Sequence, residues 1–357
     1  EGLRGAWPEA AVERVPLADG GEGTARALVE ATGGRFLPLR VTGPLGEPVE
    51  AAVGILGDGQ SAVVEVAAAA GLMLVPSRRR DPSLATSRGV GEMIRAALDC
   101  GCRRLIVALG GSATNDAGAG MLQALGVSLR DGLGSELPPG GAALSKLASI
   151  DISGLDPRLR EVEVVAACDV DNPLCGPQGA SAVFGPQKGA SAEMVARLDD
   201  ALRNFASVVR EQLGVDVLDL PGGGAAGGIG AAVAAFFGGR LQKGIEIVLE
   251  AVRFEERLRG ADLVITGEGR LDSQTLRGKV PFGVLQAARR LGVPVIAVAG
   301  GVSGPLQPFY DAGFAAVIGC TPRPMSLEEA MADGYALAAS AAESAARLVR
   351  TGLLLRE

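Results

Sequence analysis

The sequence predicts an α/β protein of two domains, one a doubly wound parallel sheet and the other a mixed α/β unit. Three observations predict it. Apolar runs are repeatedly followed by a glycine- or acid-rich loop and then a helical pattern, as at Arg104–Asp116 and Leu263–Leu291, which is how βαβ units read. From Arg35 to Val66 the pattern instead alternates, broken by turn signals, as an antiparallel meander does. A length of 357 residues favours two domains and leaves ample chain for a buried core.

The elements follow in order. Val12–Leu17 reads as a strand leading into Asp19-Gly20-Gly21-Glu22-Gly23-Thr24 and then a helix. The meander presents Phe36, Leu37, Leu39 and Val41, then Val49, Val53 and Ile55, then Val63, Val64 and Val66. Gly43-Pro44 and Gly57-Asp58-Gly59 turn the chain between them. Arg104–Leu109 is a strand, and the helix after its loop should run to about Leu125 and stop at Gly126. From Asp151 to Leu249, strands such as Val162–Ala167 mix with glycine-dense loops and helices such as Ile229–Phe237. Leu263–Ile265 is a strand feeding a polar loop, and a helix opens at Val280-Pro281 and ends near Leu291. Strands Val295–Ala299 and Ala315–Ile318 end at Gly300-Gly301 and Gly319, and Ser326–Leu348 is an Ala-rich helix. These patterns assign residues 1–34, 80–130 and 255–357 to the doubly wound domain, interleaved with 35–79 and 131–254, with the active site in the cleft between domains.

Composition narrows the chemistry. The net charge is −7 and Lys and Arg are spread along the chain, so no basic face points to nucleic acid or anionic membrane. Glu65 interrupts the longest apolar stretch, short of the roughly 18 residues of a membrane span. Five scattered cysteines read as free thiols of a reducing cytosol, and no leader pattern is visible; the expected location is cytoplasmic. Histidine is absent, which excludes His bases, His triads and His-ligated metals and leaves acids, Lys, Arg and backbone amides. Only Lys146, Lys188, Lys243 and Lys279 supply lysine, so a Lys within a glycine loop stands out.

Five loops carry candidate chemistry. Asp19 and Glu22 on a glycine loop suit Mg²⁺, which takes carboxylate and water oxygens, although a capped turn would use the same residues. Gly110, Gly111, Ser112, Thr114 and Asn115 read as an anion cradle at a helix N-terminus, and no Gly-Lys-Ser/Thr follows to make a Walker A loop. Asp169 and Asp171 lie on one side of extended chain, an arrangement for a metal or for a general base beside one. Lys188 in Phe184-Gly185-Pro186-Gln187-Lys188-Gly189 can meet phosphate, or simply be exposed. In Thr266–Lys279, Glu268 and Asp272 are metal or base candidates, and Arg270 and Lys279 can clamp a carboxylate or phosphate. Gly222–Gly227 matches the dinucleotide fingerprint in letters, but Pro221 and the acids before it argue against that context, leaving a nicotinamide reductase as a minor reading. Acid and glycine loops at strand ends, without His or Walker A, point to phosphoryl transfer, where positioning and charge stabilisation dominate.

In order, Asp19-Gly-Gly-Glu-Gly-Thr24, Gly110-Gly-Ser-Ala-Thr-Asn-Asp116, Cys168-Asp-Val-Asp-Asn-Pro-Leu174, Gly185-Pro-Gln-Lys-Gly189 and Thr266-Gly-Glu-Gly-Arg-Leu-Asp272 resemble the motifs of bacterial glycerate kinases, the glycerate 2-kinase type without a Walker A loop. The resemblance covers essentially the whole chain. It implies ATP- and Mg²⁺-dependent phosphorylation of D-glycerate, with 2-phosphoglycerate the favoured product. It also implies a flavodoxin-like domain and one resembling a restriction-endonuclease core, and it admits a homodimer. Within it Asp169, Arg270, Asp272 and Lys279 are the catalytic candidates. Gly110, Gly111, Ser112, Thr114, Asn115 and Lys188 face the nucleotide, and Asp19, Glu22, Asp171 and Glu268 the metal. Family members open with a strand ending in Asp-Ser-Phe-Lys, and Glu1–Gly5 reads as the inside of the helix that follows it. Asp81-Pro82 stands where the family has Asn-Pro, Arg88 where Tyr is common, and Ala117 where Gly is common. A non-catalytic relative that binds a sugar acid or nucleotide is the second reading.

Overall fold

The computed structural model describes residues 1–355. The fold is α/β with parallel sheets, and the chain forms two compact units: Pro16–Val248, and Glu1–Val15 with Leu249 onward.

In the larger unit, β1 (Arg35–Thr42), β2 (Pro48–Ile55) and β3 (Ser61–Glu65) form the expected antiparallel meander. β3 then pairs in parallel with β4 (Arg104–Ala108). A separate antiparallel pair, β5 (Ser128–Asp131) and β6 (Leu147–Asp151), stands apart from this sheet. The sheet continues through β7 (Glu163–Ala167) and β8 (Arg240–Gln242), both parallel, giving the order β1-β2-β3-β4-β7-β8. Leu105, Ile106 and Val107 of β4 are fully buried between Val63 and Val64 on one side and Val164 and Val165 on the other. That is why β4 reads as an unbroken apolar run rather than an alternating one. The helix Arg88–Asp99 buries Val90, Met93, Ile94, Ala97 and Leu98, a one-sided stripe at helical spacing. The helix Ala192–Leu213 starts on the Ser191 side chain, which accepts from the Met194 amide, and ends at Gly214 with φ 71°, a left-handed stop.

In the smaller unit, β9 (Val264–Leu271), β10 (Val295–Val302) and β11 (Ala316–Gly319) are parallel, in the order β11-β10-β9. The helix Gly2–Ala6 packs on the helix Gly334–Leu354; a Cβ at Gly2 would lie 1.8 Å from the Ala339 carbonyl oxygen.

Several elements differ from the sequence expectation. Val12–Leu17 is not a strand and pairs with none of the described strands. β9 does not stop at Ile265 and β10 does not stop at Ala299; both run on through glycines. A Cβ at Gly267 would sit 2.1 Å from the Val298 carbonyl oxygen and one at Gly300 2.6 Å from that of Gly269, so these glycines serve close strand approach rather than a turn. The last helix is two, Leu327–Ala332 and Gly334–Leu354. The partition also falls elsewhere: residues 16–34 and 80–130 join the meander's unit, since β4 pairs with β3. Ala117, the position where the resemblance makes Gly common, takes a left-handed φ of 50° at a fully buried position, a conformation glycine adopts without strain. Asp81 accepts from the amide and hydroxyl of Ser83, the turn bonds an Asn would also make.

Replacing Ile106 by Ala is expected to cost about 2–5 kcal/mol through lost burial and the cavity left behind. Leu133→Ala, at a residue 92% exposed, should stay within about 0.5 kcal/mol. Urea midpoints at unchanged slope test both; equal midpoints would remove β4 from the centre of the core.

Candidate active site

The parallel strands of the larger unit all end on one edge, at Glu65, Ala108, Ala167 and Gln242. Open α/β sheets place ligands at such carboxyl ends. The loop Asp19–Gly23 is folded onto this edge by glycines. A Cβ at Gly20 would meet both the Ala167 side chain and Gly244 Cα at 2.9 Å, and one at Gly110 would meet Gly21 Cα at 3.0 Å. Thr24 closes the loop, its hydroxyl accepting from the Gly20 amide at 3.1 Å and donating to the Gly21 carbonyl at 2.7 Å. Glu65 accepts from the Ala25 amide at 2.8 Å, which fixes the first turn of the helix Thr24–Thr32 at the strand end.

Asp169, just past β7, accepts from the Gly244 amide at 2.9 Å. Gly244 is wedged: a Cβ there would lie 1.9 Å from the Asp19 carbonyl oxygen. Asp169 as a residue is exposed, yet burial of its carboxyl, followed by the charge of Asp19, pushes it up to about 6 against the Gly244 bond and the nearby Lys243. Asp171 and Glu22 are exposed on the same loops. Sequence reasoning found Asp19 and Asp169 but missed Glu65, Lys243, Gly244 and Glu246. The scarcity of lysine was the one signal for Lys243-Gly244.

The loop after β4 has two halves. Among the described residues the amides of Gly110, Gly111 and Ser112 have no protein acceptor, and Gly111 is exposed with φ 73°. Successive unpaired amides around a left-handed residue are the groups from which anion-binding nests are built. From Ser112 to Asp116 every residue is buried. The Ala113 amide donates to the Ala70 carbonyl at 2.8 Å, and the Gly111 carbonyl accepts from Leu72 at 2.8 Å. Asn115 donates to Ser181 Oγ at 2.9 Å, while its Oδ1 is without a partner among the described residues. Asp116 accepts from the amide and hydroxyl of Ser87 and from the amides of Gly118 and Gly120, and burial still raises its carboxyl above the ordinary range. The next helix begins only at Ala119 and is short, so Gly110–Asn115 is not a helix N-terminus as expected. Lys188 is 3% exposed, not at the surface. Its Nζ donates to the Thr114 carbonyl at 2.7 Å and to Ser112 Oγ at 3.1 Å.

Gly222–Gly230 is buried, follows no strand, and packs glycine against backbone; a Cβ at Gly227 would lie 2.0 Å from the Thr114 carbonyl oxygen. The context a dinucleotide fingerprint requires is absent there.

In the smaller unit, Glu268 and Arg270 lie on β9 rather than in a loop. Glu268 accepts from Thr275 Oγ1 and pairs with Lys279 at 3.7 Å. Arg270 is exposed and donates from Nε to Ser303 Oγ at 3.0 Å. Asp272 caps its own turn, accepting from the Gln274 amide at 2.8 Å. Among the described residues no cluster of three or more acidic, Cys or His side chains gathers to hold a metal on its own. The five cysteines are free thiols, and no helix among the described residues is long and apolar enough to cross a membrane.

Residues 1–350 match the model of the glycerate kinase family. The glycerate kinase of Bacillus subtilis strain 168 is 55% identical over 92% of this chain and 86% of its own. The glycerate 2-kinase of Escherichia coli K12 is 51% identical over 94% and 88%. A crystal structure from Salmonella typhimurium LT2, described as that of glycerate kinase 2, superimposes with a TM-score of 0.91 at 52% identity, covering 99% of this chain and 92% of that one.

Lys188 carries a pH prediction. Burial, opposed by the charge of Asp116, brings its ammonium down from 10.5 to about 7. Below that value both states hold the proton; between it and 10.5 the unfolded chain holds more, so stability owed to this residue rises with pH across the window. Urea unfolding at about pH 6 and about pH 9 should show the wild type gaining stability relative to Lys188→Met. Parallel changes in both proteins would mean an ordinary lysine.

Proposed function

This chain belongs to the glycerate kinase family, and we propose that it transfers the terminal phosphoryl group of ATP to D-glycerate, giving 2-phosphoglycerate. The observation that carries the reading within the fold is the row of unpaired amides Gly110–Ser112 beside the carboxylates of Asp19 and Asp169, at the carboxyl ends of parallel strands. Backbone amides cradle phosphates, and carboxylates take the cation and proton of phosphoryl transfer. Family membership makes the activity a kinase with a nucleotide and a small-molecule substrate; the residue roles below are our reading.

The donor set fits Mg²⁺ held jointly with nucleotide phosphates, which needs only one or two carboxylates from the protein. Asp19 is the first candidate, with Asp171 and Glu22 on the same edge. Glu268, already engaged by Thr275 and Lys279, is left out of that set. When bound, the ion neutralises charge on the phosphate oxygens. The Gly110–Ser112 amides hold the donor's phosphates. Asp169 takes the proton of the attacking hydroxyl: the bond from the glycerate oxygen to the γ-phosphorus forms, the bond from that phosphorus to the bridging oxygen breaks, and ADP leaves. The Gly244 amide holds one Asp169 oxygen, which leaves the other for the proton. Within the smaller unit taken by itself, Arg270 and Lys279 are cations suited to an anion, and Arg can meet a carboxylate with two parallel bonds; Asp272 holds the turn that follows. With free thiols we place the protein in the cytoplasm, and a homodimer is the assembly that light scattering would test.

ADP release coupled to D-glycerate consumption in the presence of MgATP tests the activity, and phosphorus–carbon coupling in the product identifies the 2-hydroxyl. Asp169→Asn is expected to lower kcat by on the order of 10²–10⁴, the usual worth of a general base, with the melting transition retained. Wild-type turnover without any such drop would remove Asp169 from the base role; no turnover at all would overturn the kinase reading.

A further inference from the structure

A lysine that is 3% exposed is costly unless something requires it, and Lys188 has no carboxylate within salt-bridge distance among the described residues. An apolar side chain would fill the space at lower cost. What an apolar side chain lacks is a pair of N–H donors, and both donors in use reach one loop. They bracket Ala113, one bonded to the side chain of Ser112 and the other to the carbonyl of Thr114. The same loop carries the unpaired amides of Gly110, Gly111 and Ser112, with Gly111 exposed. Its buried half is locked by Ala113 to Ala70 and by Asp116 to Ser87. The turn Pro186–Lys188 that delivers the lysine is fixed in turn by Gly189, with φ 100° and a close approach to the Arg80 carbonyl.

We propose that Lys188 is a positioning residue for the phosphate donor: by bridging Ser112 Oγ and the Thr114 carbonyl it fixes the turn whose unpaired amides face the phosphates, and it does not touch the phosphates itself. This rests on the reading of Gly110–Ser112 as the phosphate-facing loop. The charge of the lysine is not the requirement, because the neutral amine also has two hydrogens to donate. A buried point charge aimed at phosphate would need the proton; a strut does not.

The experiment compares wild type, Lys188→Met, Ser112→Ala and the double variant. The readouts are KM for ATP, KM for D-glycerate, kcat, and ADP binding by calorimetry. Ser112→Ala keeps the backbone amide and removes only an acceptor of the lysine. A loop displaced by a fraction of an ångström should raise KM for ATP and weaken ADP by roughly 10- to 100-fold in Lys188→Met. In Ser112→Ala the loss should be about 3- to 10-fold. KM for D-glycerate should change less than about twofold, the mark of a lost donor interaction alone. The double variant should be no worse than Lys188→Met, since both substitutions remove one bridge.

If Ser112→Ala binds ADP as the wild type does while Lys188→Met does not, the lysine is a direct ligand and the proposal fails. If both bind normally but melt lower, the bridge serves stability alone and the proposal fails. Should Lys188→Met not fold, Ser112→Ala decides, and unchanged ADP affinity overturns the proposal. A wild type that binds no nucleotide takes down the phosphate-loop reading as well, which separates that failure from one confined to Lys188.

Discussion

The parallel pairing of β3, β4, β7 and β8 decides where the polar chemistry of the larger unit is placed. Because these strands run the same way, their ends deliver Glu65, Gly110, Asp169 and Lys243 to one edge. The interior strand is apolar on both faces, so polar groups have nowhere else in the sheet to go. Everything described at the site follows from that constraint: the glycines that let Asp19–Gly23 fold onto the edge, the amide of Gly244 held by Asp169, and the division of the β4 loop into a row of unpaired amides and a buried network. Shift β4 relative to β7 and the β4 loop leaves the edge on which Asp19, Asp169 and Gly244 meet.

Much of the fold was legible because apolar runs and glycine punctuation are local signals. The meander, β7, the helix Ile229–Phe237 and the helix opening at Val280 all stand where the pattern put them. The misreadings share one cause. A sequence pattern states what kind of element a segment prefers, not which neighbour it meets. Val12–Leu17 has a strand's composition without a partner strand. Gly267 and Gly300 look like turn residues but sit mid-strand, because two backbones approach there. β4 was grouped with the C-terminal strands by its grammar, whereas its actual neighbours are the meander and β7. At the site, Asp19 and Asp169 were visible from residue type and spacing. Gly244 and Glu65 were not, because their roles arise from approach across the fold. Lys188 was visible as unusual, but its burial was not, since no local pattern distinguishes an exposed loop lysine from an enclosed one.

The smaller unit handles charge differently. There Glu268 is shared between the Thr275 hydroxyl and Lys279, and Arg270 reaches Ser303. The Lys279 ammonium and the Arg270 guanidinium each have one modest partner, which an incoming anion can displace or join. In the larger unit Asp116 is closed off by four donors and Lys188 by two acceptors. Accessible, lightly held cations suit contact with a ligand, and enclosed groups bonded on several sides suit holding a shape.

The convergence of Asp19, Gly110, Asp169 and Gly244 on one edge also has a meaning in time. These residues are far apart along the chain, and each strand that brings one of them in closes a long loop before it gains a contact. The three-residue β8 is the last of the larger unit's sheet strands in sequence, and it carries Gly244 to the place where Asp19 and Asp169 are fixed. This edge is therefore expected to order late in folding, so that a chain with much of its core in place still lacks the geometry proposed for binding substrates.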